Sequence, residues 1–342
     1  MTTKRTDFAM YLNKYFTVYL PNACGSPPQT IDSYRYSFIL FLTYMKERHQ
    51  IPADRVNISD LTYDNTVSYL SWLEEARSNG ISTRNQRQAA INSFIRFLMY
   101  ELPEYLLEYQ KILGIPVKKA PQKEITYLKT EGVALLIGQV DLNRQNGLRD
   151  YVILSLLYTT GLRVSELIQI RVKDLSLLEP FTLLVHGKGQ KSRYVPLMRS
   201  IIPYIQKYLV QKGYDRPNRR DAWLFTNHMN EPFTRQGINY IVGKYSKMAR
   251  TIAPALIPDA LSPHKIRHTT AMGLVESGVD LIYIRDLLGH VSVKTTEIYA
   301  RADAMHKRQA IEAASKEIVP PEESEWANDS TLKDWLKSFN RR

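Results

Sequence analysis

The chain has 342 residues, 44% of them hydrophobic, so it can bury more than one core and we expect two domains. Its single cysteine, Cys24, cannot pair within the chain, which excludes a disulfide scaffold and favours a reducing, cytoplasmic compartment. The most apolar stretch, residues 151–158, is far shorter than the roughly 20 residues of a membrane span, and no secretion signal is expected.

The charge balance is basic and uneven. The chain has 46 Lys and Arg against 34 Asp and Glu, a net charge of +12 and a pI near 9.5, which is typical of polyanion-binding proteins. Residues 1–114 contain 12 basic and 11 acidic side chains, so the excess lies almost entirely beyond them. We therefore expect the C-terminal part to hold phosphates most tightly, while the N-terminal part presents basic faces only locally.

The first 114 residues have the apolar spacing of helices. One stripe contains Ile31, Tyr34, Phe38, Phe41 and Met45, and further stripes lie in residues 67–73 and 91–98, which predicts a bundle of four or five helices. Ser78-Asn-Gly80 separates two of these helices, and Ser82-Thr83 is a candidate cap for the second. Residues 115–124 follow, with few periodic apolar side chains and three lysines, and are predicted to be an extended linker.

The second domain is predicted to be mostly helical with a small antiparallel sheet. Residues 130–139 and 146–160 have helical patterns, and Gly161 ends the second helix. Two β-rich runs, residues 182–186 and 193–197, flank a basic, glycine-containing turn, which predicts a hairpin. Helical patterns dominate from residue 201 to about 318. A polar break then precedes an amphipathic tail, so we divide the chain into residues 1–114, 115–124, 125–318 and 319–342.

Two basic residues are placed where they could hold a phosphate. Cleaving a phosphodiester without a metal requires cations for the non-bridging oxygens, a nucleophile and an acid for the leaving oxygen. Arg163 lies in Gly161-Leu-Arg-Val-Ser-Glu-Leu167, just beyond a helix end, where its guanidinium could bind a phosphate through two nitrogens. Lys188 lies in the hairpin turn. Taken alone, each is more often an ordinary solvated charge.

A second group of polar residues occurs in His264-Lys-Ile-Arg-His-Thr269. His264 and Arg267 are three residues apart and so share a helix face. His264 and His268 have the spacing of helical zinc ligands, but Lys265 occupies the position of the general-base glutamate in such motifs, which disfavours zinc. The ordinary alternative is a basic helix start after Pro263.

Nine residues beyond Leu288-Gly-His290 lies Tyr299, one of 22 tyrosines and, by itself, most simply a packing residue. A phenol with a pKa near ~10 becomes a nucleophile only beside a proton acceptor and strong positive charge. Arg163, Arg267, His264 and His290 could supply both.

Together, these motifs resemble those of the tyrosine recombinases, the phage-integrase-like and Xer-like enzymes, and they occur in the family's order. The fourth motif is the hairpin segment Gly187-Lys-Gly-Gln-Lys-Ser-Arg-Tyr-Val-Pro-Leu197. The resemblance covers residues 125–318, and the N-terminal bundle is similar, less specifically, to the family's SAM-like core-binding domain.

The resemblance implies a role for each matched residue. Arg163 and Arg267 would clamp the scissile phosphate, and His290 would donate to one of its oxygens. Tyr299 would attack and His264 would accept its proton. Lys188 would protonate the leaving 5′ oxygen, Glu166 would orient the site without touching the phosphate, and His268 would be structural.

The resemblance also implies a DNA breaking-rejoining fold that closes around duplex DNA. Tyr299 would form a 3′-phosphotyrosyl bond, resolved by a 5′ hydroxyl of another strand, with no nucleotide cofactor and no metal. Four identical protomers on two recombination sites would exchange strands, with accessory DNA-bending proteins as candidate partners and the tail passing between protomers. Integration, transposition and dimer resolution all remain open as the biological task.

Two alternative functions are considered. A monomeric type IB topoisomerase would use similar residues, and only the tail argues against it. A non-catalytic DNA-binding regulator would have no reason to retain all six of the residues assigned to chemistry, which are Arg163, Lys188, His264, Arg267, His290 and Tyr299.

Overall fold

The computed structural model describes residues 6–121, 125–187, 191–290 and 292–302. The chain divides into two compact units, residues 1–123 and residues 124–342, which are described separately below. Within these ranges no helix combines the length and the apolar character needed to cross a membrane. The architecture is mainly helical with one small antiparallel sheet, which confirms the predicted fold class.

The first unit is a bundle of five α-helices around an aromatic core. Phe8, Tyr15, Phe38 and Phe94 are fully buried, and the ring centroids of Tyr15 and Phe94 lie 5.1 Å apart. The helix α4 begins directly after Gly80, so Ser82 and Thr83 lie inside its first turn and the predicted cap is wrong. The five helices are α1 (Asp7–Lys14), which continues as a π-helix (Tyr15–Ala23), α2 (Pro28–His49), α3 (Tyr63–Glu75), α4 (Ile81–Glu101) and α5 (Leu106–Leu113).

The described part of the segment predicted to be a linker, residues 115–121, is irregular, but its first half is bound to the first unit. Gln88 Nε2 donates to the carbonyl of Ile115, and Asn85 Nδ2 donates to that of Lys118, both at 2.7 Å. The Lys118 ammonium pairs with Glu74 at 2.6 Å. The chain is therefore fastened to α3 and α4 as far as Lys118.

The described residues of the second unit form eight helices and a three-stranded sheet, and one of these helices, α7, is central and buried on nearly all sides. The sheet order is β1-β2-β3, with Leu183 opposite both Leu175 and Val195. The predicted hairpin is confirmed, whereas the two-residue β1 has no sequence signal of its own. The elements are α6 (Thr130–Gly138), α7 (Gly147–Thr160), α8 (Val164–Leu167), β1 (Leu175–Ser176), β2 (Thr182–His186), β3 (Ser192–Pro196), α9 (Ile202–Gln211), α10 (Arg235–Ile252), α11 (Pro263–Glu276), α12 (Leu281–Leu288) and α13 (Val293–Ala302).

Gly161 sets the close approach between the end of α7 and α12. It has φ +60°, the left-handed conformation that ends many helices, and a Cβ there would lie 2.6 Å from Leu288 Cδ2. The Thr270 hydroxyl of α11 also donates to the carbonyl of Tyr158, at 2.5 Å. These contacts fix the end of α7, and with it the start of the short segment that carries Arg163.

Gly161→Ala is expected to lower the free energy of unfolding by about 1–3 kcal/mol, because the new methyl group is strained by the positive φ and meets Leu288. Gly243→Ala is a matched control: this glycine lies inside α10 with open space at its Cβ position, so alanine should stabilise by about 0.5–1 kcal/mol. Urea unfolding of both variants measures the difference. Equal effects of the two substitutions would contradict the role given to Gly161.

Candidate active site

Arg163 is held by its own helix and by the end of another. It precedes α8, where its backbone N–H donates to Glu166 Oε2 and its Nη1 donates to Glu166 Oε1, both at 2.9 Å. Its Nη2 donates to the carbonyl of Gly289 at 3.0 Å. The Arg163 side chain remains 39% exposed while that of Glu166 is 4% exposed, so the guanidinium keeps a face open to a ligand.

Arg267 is the more deeply buried guanidinium, at 2% exposure. Its Nη1 donates to the carbonyl of Gly161 and its Nη2 to that of Leu288, both at 2.7 Å. Burial and the neighbouring charge of Arg163 lower the pKa of Arg267 to about 10, so it remains protonated at neutral pH.

A third arginine completes this cluster from the sheet. Arg193 on β3 donates through Nε to the carbonyl of Leu287 at 2.9 Å, and through both Nη atoms to Glu166, at 3.0 and 2.9 Å. The carbonyls of Leu287, Leu288 and Gly289, at the end of α12, thus accept hydrogen bonds from arginines 193, 267 and 163, respectively. Since the C-terminal end of a helix carries partial negative charge, it is a favourable place for cations.

His290 directly follows this arginine-bound turn. Its Nδ1 lies 2.9 Å from the hydroxyl of the fully buried Thr296, and its ring lies parallel to that of Tyr299, with centroids 6.4 Å apart. Burial, followed by the charges of Arg267 and Arg163, lowers the pKa of His290 to about 4. The ring is therefore neutral at pH 7, and in the tautomer whose Nδ1 accepts from Thr296 its proton lies on Nε2.

Tyr299 on α13 is 2% exposed and packs with apolar residues of α11 and α12. Its hydroxyl lies 2.9 Å from His268 Nδ1, and the His268 ring contacts His264 edge to face, with centroids 4.2 Å apart. Burial raises the pKa of Tyr299, although Arg267 and Arg163 partly offset this. Burial, then the neighbouring His264 and Arg267, lowers the pKa of His268 to about 4, so a neutral ring faces a protonated phenol.

Six of the seven residues singled out from the sequence thus belong to one constellation at α8, α11, the end of α12 and α13. His264 lies at its exposed side, where partial burial and then the charges of Arg267 and Arg163 lower its pKa. The seventh, Lys188, falls outside the described residues. On either side of it, the Gly187 N–H donates to the Lys191 carbonyl at 2.8 Å.

The sequence analysis missed two residues. His268 was considered only as a zinc ligand or a structural residue, yet it is the histidine bonded to Tyr299. Its position four residues after His264 was the available signal, because that spacing places the two rings side by side on one helix face. Arg193 lies in the hairpin motif but was assigned no role, because the sequence of a strand does not indicate that one of its side chains reaches the end of α12. Among the described residues, no three side chains of metal-ligand type form a group able to hold an ion.

Comparisons with known proteins agree over most of the chain. The model of the phage integrase family matches residues 127–306, and that of the phage integrase N-terminal SAM-like domain matches residues 14–101. The chain is 32% identical to a Sinorhizobium fredii protein named as an integrase/recombinase, over 92% of this chain and 93% of that protein. It is 30% identical to tyrosine recombinase XerD of Listeria monocytogenes, over 80% of this chain and 88% of that protein.

The fold is similar to those of two recombinases solved with DNA. The XerH site-specific recombinase, bound to a palindromic difH substrate, matches with a TM-score of 0.67 and 21% identity, over 84% of this chain and 81% of that one. The Tn1549 transposon integrase, in complex with a circular intermediate DNA, matches with a TM-score of 0.68 and 15% identity, over 91% and 100% of the two chains.

The lowered histidine pKa values predict an acid-sensitive site. Because the pKa of His268 and of His290 is about 4 in the folded chain and near ~6.5 when unfolded, the unfolded state binds more protons between these pH values. The free energy of unfolding should therefore fall as pH falls from about 6.5 to 4, by roughly 1–3 kcal/mol for the pair after allowance for partial exposure. The variant with His268→Asn and His290→Asn, which keeps an acceptor near each Nδ1 position but cannot titrate, should lose this component.

Urea unfolding of both proteins at several pH values measures the difference in slope. His228→Asn, on an exposed loop of the second unit, is the control. A double variant whose stability falls with pH as steeply as that of the parent would contradict the assignment.

Proposed function

Because this chain belongs to the phage integrase family and is a tyrosine-type site-specific DNA recombinase, we propose that Tyr299 is the nucleophile that forms its 3′-phosphotyrosyl intermediate. The observation that carries this proposal is the Tyr299 hydroxyl, 2.9 Å from a neutral His268, beside the arginine cluster at the end of α12. Attack on the phosphorus expels the 5′ oxygen, so the phosphodiester energy is conserved and a second 5′ hydroxyl can reverse the step.

Arg163 and Arg267 are the proposed phosphate clamp. As the tyrosine oxygen attacks, negative charge builds on the two non-bridging oxygens, and preorganised guanidiniums stabilise that charge without reorganising. The carbonyl contacts of Arg163 and Arg267 hold both side chains at one helix end before any ligand arrives. His290, neutral and protonated on Nε2, supplies a further donor to the same phosphate oxygens.

We propose that His268 accepts the proton of Tyr299. The family resemblance implies His264 for this role instead. The hydrogen bond between Tyr299 and His268 Nδ1 supports this choice. With a pKa of about 4, His268 is a weak base in the free protein, because burial and nearby positive charge disfavour its protonated form. An anionic phosphate between Arg163 and Arg267 would counter that positive charge and raise the basicity of His268, so DNA itself would activate the nucleophile.

The remaining roles rest on the resemblance. We propose that Lys188 protonates the leaving 5′ oxygen from the hairpin turn, and that Glu166 orients Arg163. DNA is the partner of the chain. We further propose that the bound DNA is a pair of duplex recombination sites occupied by a homotetramer, with residues 319–342, outside the described residues, passing between protomers. The relatives reported above are named as an integrase/recombinase and a tyrosine recombinase, and we propose integration, transposition or dimer resolution as the class of task.

Tyr299→Phe is expected to abolish covalent attachment to DNA while leaving binding almost unchanged, because it removes one oxygen and no charge. Denaturing gel electrophoresis after incubation with a nicked candidate site measures the adduct, and a mobility shift measures binding. Tyr283→Phe, at an exposed tyrosine on α12, is the matched control. Adduct formation by Tyr299→Phe would mean that another residue is the nucleophile.

His268→Ala is expected to slow single-turnover cleavage by about 10²–10³-fold, because the phenol loses its proton acceptor, and added imidazole, which can enter the space left by the ring, should restore part of the rate. His264→Ala removes the neighbouring ring and serves as the matched control, with a smaller loss and no rescue by imidazole. A larger loss and rescue by imidazole in the His264 variant, with neither in the His268 variant, would mean that His264 accepts the proton.

A further inference from the structure

We propose that Arg193 is a positioning residue whose charge neutralises Glu166, so that Arg163 keeps its own charge for the scissile phosphate. This inference rests on the phosphate-binding role proposed above for Arg163. Arg193 lies on β3, and its guanidinium binds both oxygens of Glu166 in the fork-to-fork geometry that arginine and carboxylate form best.

The hydrogen bonds of Glu166 are divided unequally between the two arginines. Arg193 donates to Oε1 and Oε2 through two nitrogens, whereas the Arg163 guanidinium donates only through Nη1, to Oε1. With Arg193 occupying the carboxylate, Glu166 cannot form a second two-nitrogen pair with Arg163. The Nη2 of Arg163 instead turns toward the carbonyl of Gly289, next to His290.

Exposure separates the two arginines in the same way. The Arg193 side chain is 15% exposed and that of Arg163 is 39% exposed, so the sheet arginine is covered while the α8 arginine remains open. A phosphate arriving from solvent can therefore reach Arg163 more readily than Arg193. The carboxylate is ionised: burial would raise the pKa of Glu166, but its bonds with Arg193 and Arg163 hold that pKa below the ordinary value.

The charges explain why a third arginine is needed. Arg163, Arg193 and Arg267 contribute three positive charges and Glu166 one negative charge, which leaves two positive charges for a phosphate that becomes a dianion in the transition state. Without Arg193, the buried Glu166 would pair with Arg163 alone and withdraw its charge from the phosphate. In that state Arg267 would face the developing charge without a fully available partner.

Gly289 shows that the backbone is built around this side chain. A Cβ at Gly289 would lie 2.7 Å from Arg193 Nη1 and 2.9 Å from its Cζ, and the residue has φ +63°. The guanidinium thus passes directly over the turn between α12 and His290, and only glycine leaves room for it without strain. The glycine of the Leu-Gly-His motif therefore serves the contact with Arg193 as well as the helix end.

The test compares substrates that differ in phosphate charge. On ordinary DNA, Arg193→Met should slow single-turnover cleavage by about 10–100-fold, less than removal of a direct oxyanion donor. On a methylphosphonate, which replaces one charged non-bridging oxygen by a neutral methyl group, the loss should shrink to within about threefold. Equal losses on the two substrates would overturn the inference.

A second variant tests the charge balance directly. Adding Glu166→Gln to Arg193→Met removes the uncompensated carboxylate, so the double variant should cleave ordinary DNA at least about fivefold faster than Arg193→Met alone. A double variant no faster than the single one would also overturn the inference. Arg199→Met, which removes a positive charge from an exposed side chain paired with Glu179, is the matched control and should cleave both substrates normally.

Further substrates and variants separate this inference from the proposed function. The loss of cleavage rate in Arg163→Ala should also be smaller on methylphosphonate than on ordinary DNA. If the loss shrinks for Arg163→Ala but not for Arg193→Met, only the inference about Arg193 is overturned. If it shrinks for neither variant, the phosphate role of Arg163 is overturned as well. A 5′-bridging sulfur, which leaves without a proton, should rescue Lys188→Ala; rescue of Arg193→Met by sulfur alone would move Arg193 to the leaving-group step and overturn the inference. If Arg193→Met fails to fold, Arg193→Lys should show a smaller loss with the same dependence on substrate.

Discussion

The site depends on the C-terminal end of α12. Helix carbonyls at this end lack partners within the helix and carry partial negative charge, and here they are satisfied by guanidiniums from β3, the start of α8 and α11. Like charges this close repel one another, and the carboxylate of Glu166 together with the carbonyls offsets that repulsion. The turn that carries His290 is consequently fixed by the same residues that are assigned to the phosphate.

Burial and the concentrated positive charge shift the pKa values of the neighbouring titratable groups. The pKa values of His264, His268 and His290 all lie below that of a free histidine, with burial as the largest cause and the nearby arginines contributing to each. Burial similarly keeps Tyr299 protonated. In the free protein the proposed nucleophile Tyr299, its proposed proton acceptor His268 and the proposed phosphate donor His290 are therefore all neutral.

Much of this arrangement could be predicted from the sequence, because the signals were local. Helical spacing predicted the bundle, a glycine after an apolar run predicted the end of α7, and two β-rich runs around a basic turn predicted β2 and β3. The motifs around Arg163, Arg267 and Tyr299 were found by their order along the chain. Each of these inferences rested on a short continuous stretch of sequence or, for the motifs, on the order of such stretches along the chain.

What escaped prediction depended on contacts between distant segments. The bond between His268 and Tyr299 joins residues 31 apart, and the pair of Arg193 with Glu166 joins residues 27 apart, so neither has a local pattern. The attachment of Ile115 and Lys118 to α4 is likewise made by side chains that looked like ordinary polar surface in the sequence. A family motif identified the residue types at the site but could not indicate which histidine the nucleophile contacts.

Under the proposed roles, the neutral resting state and the arginine cluster together would make the site unreactive without DNA and reactive with it. Burial and positive charge make His268 a poor base and His290 a neutral donor, and burial makes Tyr299 a poor nucleophile. An anionic phosphate held by Arg163 and Arg267 reverses the electrostatic part of this: it raises the basicity of the histidines, while the arginines continue to favour the ionised phenol. Because Arg193 neutralises Glu166, it determines how much of the Arg163 charge is available to hold the phosphate. It thereby determines how far substrate binding raises the reactivity of the site.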